Sequence, residues 1–197
     1  MSTTPTAVAE RVLIEPMTPA DEAVVTEQLQ RRPRGVVGVA YRCPAGHPGV
    51  VATLPRLPDG TPFPTTFYLT CPRAVAACST LEASGLMTEL SERLAAEPDL
   101  AAAYAEAHRA YLAARESIAA ESVGPVPEIA EVSAGGMPTR VKCLHALLGH
   151  ALAAGPGVNP IGDLTVELIA ERWAFPCPAD TEGSWRERSK SPSGSEA

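Results

Sequence analysis

Three cysteines in this chain occupy positions where a thiol can act as a metal ligand or a nucleophile. Cys43 lies in a Gly- and Pro-rich stretch between two predicted strands, Cys71 precedes a proline at a predicted helix start, and Cys143 precedes a histidine-bearing segment. The dipole and free N–H groups of a helix N-terminus favour the thiolate, which is the form that binds metal. We therefore expect these three thiols to converge on one pocket.

A metal site needs one more ligand than these thiols supply. Zinc takes about four nitrogen or sulfur ligands, and an iron–sulfur cluster takes four cysteines or a histidine in place of one. The candidate histidines are His47, His145 and His150. The sequence has no CxxC pair, so the hypothesis of a Zn or Fe–S protein depends on the predicted convergence and leaves the fourth ligand open.

The segment 138–154 predicts a helix that carries both later histidines. At about 100° per residue, His150 falls on the same flank of the apolar stripe as Cys143, and His145 on the opposite flank. The alternative interpretation is a small buried thiol with two amphipathic histidines. Of the remaining thiols, Cys78 fits simple packing inside its helix, and Cys177 lies at the start of a polar tail.

A thiol-dependent hydrolase or transferase is a further alternative. Cys71 would be its nucleophile, with His145 or His150 as the base and arginines holding an anionic substrate. A nucleophile and its base must be within hydrogen-bond reach of each other. The sequence does not show that proximity, so we assign no catalytic residue from it.

Basic residues are concentrated in one part of an acidic chain. The formal net charge is −7, which argues against general nucleic-acid binding. Residues 31–73 nevertheless contain one acidic residue and six cations, all arginine, which makes forked contacts with phosphate or carboxylate. These are Arg31, Arg32, Arg34, Arg42, Arg56 and Arg73. This segment either docks an acidic protein or phosphate-containing ligand, or pairs with acidic helices of its own chain.

The elements that must position these residues follow from turn and cap signals. Thr18-Pro19-Ala20-Asp21 predicts a helix start, and three short apolar runs over 36–41, 50–54 and 65–69 predict strands. Helices are predicted over 72–84, 86–96 and from Pro98 onward, then over 138–154 and from a cap at Asp163 to about residue 173. The fold class is therefore α+β and helix-dominated: a small antiparallel sheet of about three strands packed against five or so helices.

Length and composition predict a single globular domain with polar ends. The 197 residues are 45% hydrophobic, enough for a core, and no run is long enough to insert into a membrane. Residues 17–176 form the expected domain, and residues 1–16 and 177–197 are expected to be disordered tails. An odd number of cysteines, five, without an export signal indicates reduced thiols and a cytoplasmic protein.

Several long runs together resemble one bacterial family. They are PRGVVGVAYRCPAGHPGVV, LPDGTPFPTTFYLTCPR, LEASGLM, AAAYAEAHRAYLAAR and GGMPTRVKCLHALLGHALAAGPGVNPIGD. They resemble the domain of unknown function 501 family, which is mainly actinobacterial. The resemblance implies no known activity. Family members often lie beside enolase, a septum-formation protein and an exopolyphosphatase, which implies a role in housekeeping or cell division. Cys43, Cys71, Cys143 and His145 fall inside these runs, whereas His47 stands where some relatives differ.

Overall fold

The predicted fold class is confirmed, with three antiparallel strands and six α-helices in the part of the chain that the structure describes. A computed structural model describes residues 12–173. In chain order the elements are α1 (Pro19–Leu29), β1 (Val36–Arg42), β2 (Pro48–Thr53), β3 (Phe67–Leu69), α2 (Pro72–Ala83), α3 (Leu86–Ala96), α4 (Pro98–Ala120), α5 (Leu144–Ala154) and α6 (Pro160–Trp173). A short 3₁₀ turn, Pro127–Ile129, follows α4.

The sheet has the order β1-β2-β3, with β2 in the middle and buried along its whole length. β1 and β2 form a hairpin whose turn is closed by the Cys43 N–H donating to the His47 carbonyl at 2.9 Å. Residues alternate between the two faces of a strand. Val50, Phe67 and Leu69 accordingly point into the main core, while Val51 and Tyr68 lie on the other face.

Two glycines let α5 pack closely between the sheet and α6. A Cβ at Gly149 would lie 2.8 Å from the carbonyl oxygen of Phe67, and a Cβ at Gly162 would lie 2.4 Å from that of Leu147. Both contacts are with backbone atoms, which cannot move aside as a flexible side chain can. This close approach places α5 at the centre of the fold, in contact with β3, α6 and α2.

The prediction that Pro138 opens a helix is wrong, because α5 begins six residues later at Leu144. Residues before it turn back on themselves: Gly135 has a positive φ of 71°, and its carbonyl accepts from Lys142 N–H at 2.7 Å. The Val141 N–H bonds to Ser91 Oγ, and the Arg140 carbonyl accepts from the Tyr104 hydroxyl. Backbone groups that would bond to one another within a helix are therefore bonded to side chains of other elements instead.

The predicted cap at Asp163 is also wrong. α6 begins at Pro160, and Asn159 caps it by accepting from the Gly162 N–H at 2.9 Å. The Asp163 carboxylate instead accepts from the N–H of Gly157 in the preceding loop. Asn159 therefore fixes the start of α6, and its amide orientation matters for the histidine beside it.

At the N-terminal end, α1 starts after Thr18, as the sequence predicts, and the structure adds a reciprocal capping box between Thr18 and Asp21. Residues 12–16 precede the predicted domain boundary, and Glu15 pairs with Val39 of β1 through two backbone hydrogen bonds of 2.8 and 2.9 Å. Residues 1–11 and the predicted tail from 177 onward lie outside the described residues. Between residues 12 and 173, no helix has both the length and the apolarity to span a bilayer.

Candidate functional site

A carboxylate, a thiol and an imidazole meet where the last turn of α2 packs against the start of α5. Glu82, Cys143 and His145 each offer one donor atom, and these atoms lie within 4.8 Å of one another. No other group of three His, Cys, Asp or Glu side chains with such spacing occurs in the described part of the chain. This group, which we call the Glu–Cys–His cluster, is half-buried.

The hydrogen bonds of His145 define its protonation state. Its Nε2 lies 3.1 Å from the Val75 carbonyl oxygen, which only accepts, so Nε2 carries a proton. Its Nδ1 lies 3.0 Å from Glu82 Oε1, which also accepts from the Leu144 N–H at 2.7 Å. The contact with the Cys143 sulfur and the ion pair with Glu82 raise the pKa of His145 to about 9. The cluster therefore holds an imidazolium at neutral pH.

Cys143 reaches His145 because it lies just outside α5. It is the N-cap residue, with extended backbone angles of φ −156° and ψ 109°. Its Sγ is 3.9 Å from His145 Nδ1. The prediction that the two side chains lie on opposite flanks of one helix is wrong, since helical geometry does not extend to residue 143.

The other predicted ligands lie outside the cluster. Cys43 is buried beside Val24 and Tyr41, and Cys71 is buried in the main core as the N-cap residue of α2. Neither they nor His47 belong to a group of three metal-ligating side chains among the described residues. The expected convergence of three thiols on one pocket is therefore not seen here.

His150 lies in an aromatic part of the core rather than at the cluster. Its ring stacks on Phe67 at 5.7 Å and meets Tyr111 edge-on at 5.0 Å between ring centroids. Because the Asn159 carbonyl caps α6, its amide nitrogen faces His150 Nδ1 at 3.2 Å and donates to it. Burial lowers the pKa of His150 to about 4, so the ring is neutral at neutral pH.

Cys78 is fully buried, and burial raises the pKa of its thiol to about 12. Such a protonated thiol is a packing group, in keeping with the interpretation drawn from its position inside a helix. Cys177 lies outside the described residues.

The six arginines differ in what they contact. Arg42 makes a forked contact with Asp21 at 2.7 and 3.1 Å, which holds the pKa of Asp21 far below its usual range. It also donates to Glu15 at 2.8 Å. Arg56 contacts Glu128 through one nitrogen, Nη2, which donates to both carboxylate oxygens at 2.7 Å. These two cations tie separate elements of the chain together.

Arg31, Arg32 and Arg34 are exposed and less constrained. Arg32 lies 3.6 Å from Glu22, and Arg34 lies 3.8 Å from Asp59. Arg73, at the start of α2, is half-buried and has an interaction partner. The basic segment therefore divides into fold-stabilising arginines and an exposed group at residues 31–34.

The cluster differs from the triad of a thiol hydrolase. In a triad, the imidazole contacts the nucleophile through one nitrogen and the orienting carboxylate through the other. Here Nδ1 of His145 faces both the Cys143 sulfur and the carboxylate, while Nε2 is bonded to the Val75 carbonyl. Neither histidine is placed to act as a base for Cys71. Both ring nitrogens of His145 already have other partners, Glu82 and Val75, and the ring of His150 packs between Phe67 and Tyr111.

Sequence reasoning missed Glu82, which completes the cluster. It is 62 residues from Leu144, whose N–H it accepts, and it lies in a helix with no other charged residue after its first turn. No local spacing links these residues. Only the packing of α2 on α5 brings them together.

The family model described as "Protein of unknown function (DUF501)" matches residues 39–167 of the chain. This range includes all three residues of the Glu–Cys–His cluster. Searches of curated proteins and of solved structures gave no match.

Proposed function

This chain belongs to the DUF501 family, whose function is unknown, and from the Glu–Cys–His cluster we propose that it binds one zinc ion. The observation that carries this proposal is the meeting of three different donor types, one from α2 and two from the start of α5 and its N-cap, with their donor atoms within 4.8 Å of one another. Thiolate, imidazole and carboxylate are the three protein ligands that zinc uses.

The spacing of the donors fits a single ion. With typical zinc bond lengths, tetrahedral ligands lie about 3.3–3.6 Å apart. The Nδ1 of His145 lies 3.0 Å from Glu82 Oε1 and 3.9 Å from Cys143 Sγ. Shifts of a few tenths of an ångström, which side-chain rotation supplies, place both pairs in that range.

A second feature is the bond between His145 Nε2 and the Val75 carbonyl. Metal-ligating histidines characteristically donate their other ring N–H to a carboxylate or a backbone carbonyl, which fixes the tautomer and aims the free nitrogen at the metal. His145 has this arrangement, with Nδ1 as the nitrogen that would bind the ion. A metal at Nδ1 replaces the proton that now bonds to Glu82.

The donor set favours zinc over an iron–sulfur cluster. Such a cluster needs four thiolates, or thiolates with histidine replacements, and the Glu–Cys–His cluster contains one thiol. With three protein ligands, a tetrahedral ion keeps one position for water or a substrate, which is the pattern of catalytic zinc sites. The side chains of His145 and Glu82 are 26% and 22% exposed, so the cluster is partly open to solvent.

Metal titration of the full-length chain tests the proposal. After chelation and dialysis, we expect one Zn²⁺ per chain by calorimetry, and Co²⁺ should give a thiolate-to-metal charge-transfer band. Cys143→Ser, His145→Gln and Glu82→Gln should each weaken Zn²⁺ binding by at least about tenfold. Cys143→Ser should also remove the charge-transfer band.

Two matched controls lie away from the cluster. Cys43→Ser replaces a thiol outside the cluster, and His108→Gln replaces another half-buried histidine, which bonds to Ser133. Both should bind Zn²⁺ as the wild type does. The proposal is wrong if the wild type takes up no stoichiometric metal, or if Cys143→Ser and Cys43→Ser bind it equally.

A further inference from the structure

A groove lies on the face of the sheet that the main core does not cover. Its floor contains Val51 and Tyr68, which are paired across β2 and β3. Its walls are Leu29 at the end of α1 and Leu57 and Phe63 from the Pro-rich loop. The cavity measures about 140 Å³. It is an apolar recess with an aromatic wall, separate from the Glu–Cys–His cluster.

The mouth of this groove is positively charged. Arg31 and Arg34 both line it. Arg31 has no ion-pair partner among the described residues, and the Arg34–Asp59 pair is long, at 3.8 Å, with side chains 72% and 54% exposed. Exposed pairs of this kind contribute little to stability and exchange readily for another carboxylate. Both guanidinium groups are therefore available to a ligand.

We propose that this groove binds an acidic peptide segment of a partner protein, with one large apolar side chain in the recess and flanking carboxylates on Arg31 and Arg34. The size supports a single side chain, because sites for drug-sized molecules measure roughly 300–1,000 Å³. The charge supports carboxylates, since guanidinium groups bind them in a forked geometry.

A peptide array tests this site directly on the full-length protein. The probes are decapeptides with a central Leu or Phe flanked by Asp and Glu, beside matched sets with Ser and Gln flanks or with a central Gly. We expect binding to acidic peptides with an apolar centre only. Fluorescence anisotropy of the best binder should show at least about a tenfold loss for Arg31→Glu combined with Arg34→Glu, and a loss for Phe63→Ala.

Arg109→Glu is the matched control, because Arg109 is an exposed arginine on α4, ion-paired with Glu106 and away from the groove. It should bind the peptide as the wild type does. Circular dichroism verifies that each variant is folded. Zn²⁺ binding, measured in parallel, should be the same in the groove variants, so failure of this site and failure of the metal site are distinguishable.

Three results would overturn the inference. The first is an array in which acidic peptides bind no better than neutral ones. The second is equal binding of peptides with central Gly and central Leu, which would indicate surface electrostatics without use of the recess. The third is absence of binding to every peptide on the array together with binding of free phenylacetate, which would assign the groove to a small anion.

Discussion

His145 and His150 lie five residues apart on α5, and their surroundings shift their pKa values in opposite directions. The Cys143 sulfur and the Glu82 carboxylate raise the pKa of His145 to about 9. Burial among aromatic rings lowers the pKa of His150 to about 4. The same residue type is therefore a cation at the helix start and a neutral core group one and a half turns later.

The comparison shows why a histidine on an amphipathic helix is ambiguous. His145 has polar partners on both ring nitrogens, which suits a group that exchanges a proton for a metal ion. His150 has one partner, Asn159, and its buried Nε2 has no hydrogen-bond partner among the described residues. His150 is therefore a core packing residue, although leaving its buried Nε2 without a hydrogen bond costs stability.

The largest expected effect concerns stability. His150→Ala should lower the free energy of unfolding by about 3 kcal/mol, because it opens a cavity between Phe67 and Tyr111. His145→Ala should cost only about 1 kcal/mol in metal-free protein, since that side chain is partly exposed. Urea denaturation followed by circular dichroism measures both losses, and equal losses for the two variants would contradict this prediction.

The pH dependence of stability should be of comparable size when it is summed over the whole acidic range. Between pH 6.5 and about 4 the unfolded chain protonates His150 while the folded protein keeps it neutral. The free energy of unfolding should therefore fall as the pH is lowered through this window, by about 3 kcal/mol in total. Asp21, whose folded pKa lies far below its usual range, contributes its own loss only near and below about pH 4.

His150→Phe tests the contribution of His150 to this pH dependence. The substitution keeps an aromatic ring at position 150 and removes the group that titrates. Its unfolding free energy should vary less between pH 6.5 and 4, while His145→Gln should retain the wild-type slope there. Chemical denaturation at a series of pH values decides this. If the free energy of unfolding of His150→Phe falls as steeply with decreasing pH as that of the wild type, groups other than His150 cause the loss of stability in acid.

The smallest change in stability is expected when the Glu82 carboxylate is replaced. Glu82→Gln keeps an oxygen that accepts from the Leu144 N–H but loses the ion pair with His145. The pKa of His145, followed by NMR, should fall toward its ordinary value, with a stability change of about 1 kcal/mol or less. Glu92→Gln, an exposed change on α3, should leave that pKa unmoved.

Much of the fold could be predicted because its signals are local. The start of α1 at Thr18, the proline starts of α2 and α4, and the three strands lie where turn and cap chemistry predicts them. The errors occurred where long-range contacts replace local ones. Residues 138–143 bond to Ser91 and Tyr104 rather than forming a helical turn, and Asn159 rather than Asp163 caps α6.

The candidate site could be predicted only in part. Cys143 and His145 were identified as candidate ligands from their residue types, and the structure brings them together with a residue that the sequence did not indicate. Glu82 shares no motif with them, and the predicted partners Cys43 and Cys71 lie outside the cluster. Helix-wheel geometry also misplaced His145, because it assumed helical backbone at residue 143.

By itself the sequence determined the class of fold, the hairpin, most helix starts and the residue types available for chemistry, since periodicity and capping act over a few neighbouring residues. Only the tertiary structure decided which histidine is charged, which carboxylate joins the thiol, and which arginines face a groove. Ligand sets and pKa values depend on distances in space between residues far apart in the chain. Those distances follow from how the helices and sheet pack, which no single stretch of sequence encodes.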